Sequence, residues 1–505
     1  MKNASGTSPP SEIELKLVLP GADRRRIAHQ LAVTPPLAGV AFQVLRLRNI
    51  YFDTPVQDLR QQKIALRLRS VREGTSSRPR WIQTLKTSGH STAGLSQRGE
   101  WETPLRRGEL DPITLQDTPW SAIDSNSELF AHLKPCFETR STRTLWQVKA
   151  QDGSQIEVAL DVGSVHANSR RMPICELELE LIHGSPDALF AVAEELATHL
   201  AILPAQTSKA EQGWRLVAGV SAAPLRAHTL ALEAEQAAGP AVQQVLAEMF
   251  GHFTENLVGI LNADHAELVH QARVGWRRWR SGLWLFKPLL KDHQAPDTEE
   301  LRPLLDALGA VRDLDVAALE SLPTWAEAFV AGDRTRNTAW LHMEATLQAE
   351  RRARRLSLLD ALAAPATGLA LMRLSRWLHG FKQVPETTLT LGEWAKNRTH
   401  DLHALLSDEV DLMLGVEDSK SDTALEHQHR VRLLAKRTRY CLEAMRPVLP
   451  KARTRRWTDQ ATRLQSDIGA ARDLLLLADL LAPLGVDRGI VGFLRGVSAA
   501  QIASR

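Results

Sequence analysis

The chain carries two kinds of periodicity. Through roughly the first two hundred residues polar and apolar side chains alternate. In Ser11-Glu12-Ile13-Glu14-Leu15-Lys16-Leu17 the charged residues Glu12, Glu14 and Lys16 sit two apart, with aliphatic residues between them. On a β-strand alternate side chains share a face, so two carboxylates and an ammonium point one way while Ile13, Leu15 and Leu17 point the other. Residues 65–69 set Arg67 and Arg69 against leucines, 98–102 set Arg98, Glu100 and Glu102 against Gly99 and Trp101, and 175–181 alternate Glu176, Glu178 and Glu180 with leucines. With 44–53, 81–86, 136–149 and 157–161 this predicts about eight strands, close to the number that closes a small antiparallel barrel. The apolar faces would meet flanking helices, and the charged faces would line a lumen. One acidic and one basic wall suit a polyanion bridged to divalent cations, whereas any one such strand taken alone reads as a solvated face.

After residue 181 the period changes. Residues 186–201 place Leu189, Val192, Ala193, Leu196 and Leu200 on one side of a helix, and 204–214 bring Ser208-Lys209 back toward the strands. From Glu233 onward helical spacing dominates, interrupted at Gly239-Pro240, 292–296, 365–368 and 415–421. Within this half His270, Arg273, Arg277 and Arg280 are spaced three, four and three apart, and His429, Arg432, Lys436 and Arg439 repeat the spacing. Each set falls in a stripe about 80° wide on a helix, with Trp276, Trp279 and Leu283 on the opposite, packing side. Leu308-Gly309-Ala310-Val311-Arg312-Asp313 follows the first stripe and Ile468-Gly469-Ala470-Ala471-Arg472-Asp473 the second, an offset of about 160 residues. Leu475 stands where the first copy has Asp315, so the copies need not be equivalent. A lone basic stripe is usually a solvated face; two matched stripes with matched Arg-Asp sequences point to an internal duplication. The cluster Arg351-Arg352-Ala353-Arg354-Arg355 reads as solvated helix surface.

The predicted class is therefore α+β. An eight-stranded antiparallel β tunnel with flanking helices occupies 11–218, a linker 219–239, and an all-α domain of two repeated helical bundles 240–505, with repeats at about 240–365 and 366–505. Residues 1–10 are short and polar, and read as a disordered leader, not a signal peptide.

Composition narrows the partners. The 505 residues carry 62 Lys and Arg against 59 Asp and Glu, a net charge of +3. Residues 1–218 hold 26 basic and 24 acidic residues, leaving 36 and 35 for the rest, so neither half is globally basic. A polyanion site must then be a focused patch, and nonspecific coating of nucleic acid is disfavoured. Cys136, Cys175 and Cys441 are too scattered for a disulfide framework or a zinc site and fit a reducing compartment. No apolar run approaches membrane-spanning length, so the expectation is a cytoplasmic protein without a membrane partner.

The first half resembles the CYTH superfamily of triphosphate tunnel enzymes, through Glu12-x-Glu14-x-Lys16, Tyr51-Phe52-Asp53-Thr54-Pro55, Arg67 and Arg69, Lys86, Glu176–Glu180 and Ser208-Lys209. The resemblance covers roughly 11–216. It implies a tunnel that binds a triphosphate and hydrolyses it with Mg²⁺ or Mn²⁺. On that basis Glu12, Glu14 and Lys16 form the catalytic set, and Lys16, Arg67, Arg69, Lys86, Arg143 and Lys209 contact phosphate. Glu12, Glu14, Glu176, Glu178 and Glu180 are the candidate metal ligands, oxygen donors suited to these ions. Which two of the last three touch metal stays open. So do the roles of Glu157 and Asp161, as residues that orient the ligands or as partners of a lumen arginine, and lumen or salt-bridge roles for Glu100 and Glu102. Arg140 and Arg143 have opposite parity, so at most one faces the lumen of a regular strand, and Arg143 is preferred. Tyr51–Pro55 reads as a strand end and turn.

The second half resembles the CHAD domain over about 240–505, an all-helical module associated with binding inorganic polyphosphate. The matching positions are His270, Arg273, Arg277, Arg280, His429, Arg432, Lys436 and Arg439. Cations beside each imidazole favour its neutral form until an anion binds. Metal binding by the two histidines lacks neighbouring carboxylates or cysteines on the same face. The leading expectation is a metal-dependent inorganic triphosphatase with a polyphosphate-binding helical domain. Thiamine triphosphate or nucleoside triphosphates as substrates, cyclisation of ATP, a polyphosphate-binding adaptor with a vestigial tunnel, and duplex DNA binding remain as alternatives.

Overall fold

A computed structural model describes residues 11–74, 78–220, 222–291, 293–381, 389–416 and 421–503; the leader 1–10 lies outside the described residues. Its first half is a closed barrel. The strands are β1 (Ser11–Val18), β2 (Phe42–Asp53), β3 (Ala65–Glu73), β4 (Arg80–Thr92), β5 (Leu95–Leu105), β6 (Lys134–Lys149), β7 (Gln155–Ala167) and β8 (Arg170–His183). They pair in the order β5-β4-β3-β2-β6-β7-β8-β1, and β1 closes the ring on β5, every pairing antiparallel. A two-residue strand β9 (Leu203–Pro204) adds to β1 outside the ring. Short helices α1 (Ile27–Ala32), α2 (Asp58–Gln61) and α3 (Trp120–Ile123) fill connections, and α4 (Pro186–Ala197) and α5 (Lys209–Ala218) follow the last strand.

The period-two pattern explains the arrangement. Leu15, Leu17, Val158, Leu160, Leu177 and Leu179 point outward and are almost completely buried, packed against Leu31 of α1 and Leu189, Phe190, Val192 and Leu196 of α4. Burial of each such leucine contributes about 1.5–3 kcal/mol. The alternate positions have nowhere to go but the lumen. α4 starts at Ser185, whose side chain accepts from the Asp187 amide, with Pro186 in the first turn.

The second half consists of α6 (Ala238–Asn262), α7 (Ala266–Phe286), α8 (Arg302–Val316), α9 (Ala326–Val330), α10 (Arg334–Leu362), α11 (Pro365–His379), α12 (Leu391–Leu414), α13 (Asp422–Met445), α14 (Lys451–Leu481) and α15 (Arg488–Ala503). The two segments read as repeats share a core, although Leu406, Val431, Ala435 and Ala461 of the second form a small cluster of their own. One core joins Val245, Met249 and Phe253 of α6 and Trp279 of α7 to Trp394 and Leu402 of α12 and Cys441 and Leu442 of α13. Phe286 stacks on Trp394 at 5.2 Å, and Arg398 of the second repeat donates to the carbonyls of Trp284 and Leu285 at 2.9 Å, capping α7. Among the described residues no single helix is long and apolar enough to cross a membrane.

The stretch read as a linker is laid down on the helical domain. Asn256 brackets Leu225, accepting from its amide and donating to its carbonyl, and Ala234 and Gln236 accept from the amides of Gly392 and Leu391. Two further contacts join the halves. Arg376 of α11 forms a bidentate pair with Asp187 at 2.7 and 2.8 Å and reaches Glu194, and Met372 enters the core outside the barrel.

Inside the helical core, Arg278 pairs bidentately with Glu248 at 2.8 and 3.0 Å and donates to Nδ1 of His252 at 3.1 Å. His252 Nε2 donates to Gln271 Oε1 at 2.9 Å, so this hydrogen-bond network assigns a neutral imidazole. Burial, followed by Arg278, pushes its pKa below the ordinary 6.5. The unfolded chain therefore takes up this proton first as pH falls. Stability rises with pH across the window from the depressed folded value up to 6.5, and is lost on going down through it. Denaturant titrations of wild type and His252→Gln between pH 5 and 8 should show this pH-dependent component in the wild type and its disappearance in the variant.

Candidate functional site

Strand register brings the lumen charges together. Across β1 and β5 Glu12 lies opposite Arg98; across β1 and β8 Lys16 lies opposite Glu178, and Glu14 opposite Glu180. Lys86 of β4 faces Glu100 of β5, Arg143 of β6 faces Asp161 of β7, and Glu157 of β7 faces Glu180 of β8. The lumen encloses about 430 Å³ and is lined by Glu12, Glu14, Lys16, Arg67, Arg69, Lys86, Arg98, Glu100, Glu102, Arg143, Glu157, Glu178, Glu180 and Lys209, with Tyr51, Arg60, Lys63, Ser208 and Trp214 among the others.

These groups form a nearly continuous network. Lys86 pairs with Glu12 and Glu100, each at 2.9 Å, and Arg98 links Glu12 at 2.9 Å to Glu14 at 3.3 Å. Arg67 reaches Glu100 and Glu102 at 3.2 and 3.4 Å, and Arg69 reaches Glu102 at 3.5 Å while donating to Asn49 at 2.9 Å. Arg143 grips Asp161 bidentately at 2.7 and 3.0 Å and Glu178 at 2.8 Å. Lys209 pairs with Asp161 and Glu178 at 2.7 Å and with Glu176, and Lys16 with Glu178 at 3.0 Å and Glu176 at 3.4 Å. Lys209 starts α5, whose N-cap Ser208 accepts from the Glu211 amide at 3.1 Å.

The electrostatics divide the acids. Burial pushes Glu12 up, but Lys86 and Arg98 outweigh it and hold its carboxyl far below the usual range. Asp161 is depressed likewise: burial is overcome by Arg143 and Lys209. Glu178 follows the same pattern under Lys209, Lys16 and Arg143. Glu14 goes the other way. Burial, with Glu178 and Glu12 adding repulsion, lifts it to about 7 despite Lys16 and Arg98. Glu180 makes no ion pair among the described residues, and burial with Glu12, Glu157 and Glu100 nearby pushes it up to about 8. Negative charge is therefore in excess where β1 meets β8.

The structure brings Glu12, Glu14, Lys16, Arg67, Arg69, Lys86, Arg143, Lys209, Glu178 and Glu180 into one lumen. Glu176 stands apart: it is 2% exposed, does not line the cavity, and is taken up by Lys16, Lys209 and Gln212. Arg140 points away, paired with Glu138. Glu100 and Glu102 prove to be both lumen and salt-bridge residues. Arg98 was not among the expected site residues, although it shares parity with Glu100 and Glu102. Asp53 and Thr54 are structural: Asp53 accepts from the amides of Thr54, Leu59 and Arg60 and so builds the turn into α2. Tyr51 also reaches the lumen, stacked on Phe137 at 4.7 Å.

In the helical domain the two stripes lie on α7 and α13, which pack together. His270, Arg273, Arg277, Arg432, Lys436 and Arg439 are half-buried, and Arg280 and His429 are exposed. The Arg-Asp echo on α8 faces the first stripe. A Cβ on Gly309 would lie 2.8 Å from Arg273, and Arg312, after burial, is the largest influence lowering the pKa of His270. The side chains of the second echo, 468–473, lie outside the described residues. Asp315 is buried and paired with Arg351 at 2.5 and 3.0 Å, and Arg355 donates to the carbonyls of Ile260 and Ala263, so two members of the arginine cluster are structural rather than solvated. Leu475, at the position matching Asp315, is 42% exposed.

The donor set fits a hard divalent cation. Oxygens of Asp161, Glu176 and Glu178 lie within 4.8 Å of one another, and Glu14 and Glu180 face each other across β1 and β8. Comparison with known proteins agrees with this architecture. Residues 10–213 match the CYTH domain family and 244–482 the CHAD domain family. An inorganic triphosphatase of Haemophilus influenzae is 34% identical over 213 residues, 41% of this chain and 54% of that protein, so the match spans about half the length of this relative. The crystal structure of the CHAD domain from the plant Ricinus communis is 28% identical, covers 56% of this chain and 92% of that one, and has a TM-score of 0.46. The PH1819 protein from Pyrococcus horikoshii OT3 is 18% identical, covers 37% and 86%, and has a TM-score of 0.24. Residues 10–213 are thus a CYTH domain and residues 244–482 a CHAD domain.

Glu180 yields a test of the charge excess. Its folded pKa of about 8 exceeds the ordinary 4.5, so the wild type loses stability as pH rises through that window. Glu180→Gln should match wild type near pH 5 and be more stable by at least about 1 kcal/mol at pH 8.5 in EDTA, measured by denaturant unfolding.

Proposed function

We propose that the tunnel hydrolyses inorganic triphosphate to diphosphate and phosphate with Mg²⁺ or Mn²⁺, and that the helical domain binds inorganic polyphosphate. The observation that carries the reading is the closed lumen of about 430 Å³ in which carboxylates of the same lumen hold its cations on β1, β3, β4, β5 and β6. A triphosphate offers those cations oxygens of higher charge. Arg67, Arg69 and Arg143 would grip it with forked donors and Lys16, Lys86 and Lys209 as point charges. The relative described as an inorganic triphosphatase supports the substrate class.

Of the two acidic groupings, Asp161 and Glu176 do not line the lumen, whereas Glu12, Glu14, Glu178 and Glu180 do. Glu12, Glu14, Glu178 and Glu180 are therefore the residues that would hold the divalent cation. When bound, it would supply charge neutralisation and activation of water. The lumen cations hold the anion extended, and the walls exclude bulk water. Water attacks the terminal phosphorus, the bond from that phosphorus to its bridging oxygen breaks, and diphosphate leaves. No cysteine or histidine lines the lumen among the described residues, consistent with catalysis by positioning and electrostatics. In the helical domain the paired basic stripes of α7 and α13 support an anion site.

The test is phosphate release from tripolyphosphate, ATP and thiamine triphosphate with Mg²⁺, Mn²⁺ or EDTA. Tripolyphosphate turnover should require the metal and fall about 100-fold or more in Glu14→Ala. Full activity in EDTA or in that variant would refute the reading. Arg277→Ala combined with Arg432→Ala should weaken binding of long-chain polyphosphate about 10-fold or more while tripolyphosphate turnover stays at the wild-type rate, read by calorimetry and phosphate release.

A further inference from the structure

We propose that Glu255, on α6 of the helical domain, is a positioning residue for the tunnel: it holds the segment that places Lys209. The proposal rests on the reading of Lys209 as a phosphate contact.

Residues 202–209 belong to both domains. Leu203 and Pro204 pair with Val18 and Leu17 of β1, and the Ala205 amide donates to the carbonyl of Lys16 at 3.0 Å. On the other side the segment is gripped by helices. Leu203 is buried in the helical core, and Gly368 of α11 approaches Ile202 so closely that a Cβ would collide with its carbonyl. The next two residues are held by one carboxylate. Glu255 accepts from the Gln206 amide at 2.6 Å and from the Thr207 hydroxyl at 2.7 Å. One turn earlier on α6, Gly251 leaves room for the Gln206 side chain, which a Cβ would meet at 2.8 Å.

The chain then has no slack before the lumen. Ser208 caps α5, and Lys209 is its first residue, with Nζ 2.7 Å from both Asp161 and Glu178. A cation at the start of a helix opposes the helix dipole, so neither the helix nor hydration of the ammonium favours this burial. Asp161, Glu176 and Glu178 attract the Lys209 ammonium at one end, and Glu255 fixes the backbone three residues before it from the other. The same segment is hydrogen-bonded to the backbone of Lys16. The helical domain thereby sets the placement of two lumen cations without lining the lumen. Glu255 borders a cavity of about 560 Å³ between the domains and not a packed core, so its truncation removes hydrogen bonds without opening a void in a packed core.

The closing experiment compares Glu255→Ala and Glu255→Gln in the full-length chain. Gln can still accept from the Gln206 amide and donate to the Thr207 hydroxyl, so it should behave as wild type. Ala should lower kcat/KM for tripolyphosphate about 10- to 100-fold, chiefly through KM, because it displaces a binding cation. In a Lys209→Ala background the same change should have no further effect. Arg376→Ala, which loosens the domain contact elsewhere, should not reproduce the KM shift. A second readout needs no turnover: acetylation of Lys209 by an amine-reactive ester, followed by mass spectrometry, should quicken about 10-fold or more in Glu255→Ala only, the order expected when a buried charge loses its fixed surroundings. Unchanged labelling in Glu255→Ala overturns the proposal whatever the substrate proves to be. So does an equal kinetic loss in the Lys209→Ala background. Altered labelling in a chain that does not hydrolyse tripolyphosphate would uphold the positioning role and remove the functional reading alone.

Discussion

A closed barrel this narrow forces its inward charges to neutralise one another. Lys16, Glu14, Arg67, Asp161, Glu176 and Lys209 are all less than a tenth exposed. An unpaired ion so deeply buried costs several kcal/mol, and even a well-paired one roughly breaks even against water. The lumen meets this constraint by giving Lys16, Arg67, Arg69, Lys86, Arg98, Arg143 and Lys209 at least one carboxylate each, and most carboxylates two cations. It leaves the balance unfinished at one place, where Glu14 and Glu180 face each other. A network that contributes little net stability can be dismantled by a ligand of higher charge at small cost. The same pairing therefore offsets the cost of burying these charges and keeps the cations aimed.

The outer surface of the barrel is organised by the opposite requirement. Its leucines must be covered, and α1 and α4 cover them. The helical domain then packs on α4 through α11 and on β9 through α6, so the two halves share more than a tether. Within the helical half the two segments share a core, and α7 and α13 come side by side where Trp279 of one and Cys441 and Leu442 of the other are buried in it. Their basic stripes are what remains outside that core.

Much of this was legible in the chain. Parity alone put Glu12, Glu14, Lys16, Arg67, Arg69, Glu178 and Glu180 on inward faces, because a strand has no choice about which side chains share a side. The matched stripes and Arg-Asp echoes were the signal for two repeats, and the helices that carry the stripes, α7 and α13, pack together. What failed was neighbourhood. Arg98 was passed over though it bridges Glu12 and Glu14, and Glu176 shares a face with Glu178 yet lies behind the lumen against Lys209 and Gln212. Arg351 and Arg355 looked solvated because their partners, Asp315 and the last carbonyls of α6, are distant in the chain. The supposed linker hid its anchors for the same reason: Asn256 and Gly392 are far along in sequence.

The amino-acid sequence by itself determined the faces. Periods of two and of about three and a half are local properties, imposed by backbone geometry on any chain with this order of polar and apolar residues. Only the tertiary structure decided which charges meet. Glu12 and Arg98 are 86 residues apart, Lys16 and Glu176 160, and Gln206 and Glu255 49. Those pairings depend on barrel closure, strand register and the docking of a second domain. They are set by the summed burial of all the strands and helices, and no local stretch of sequence contains that sum.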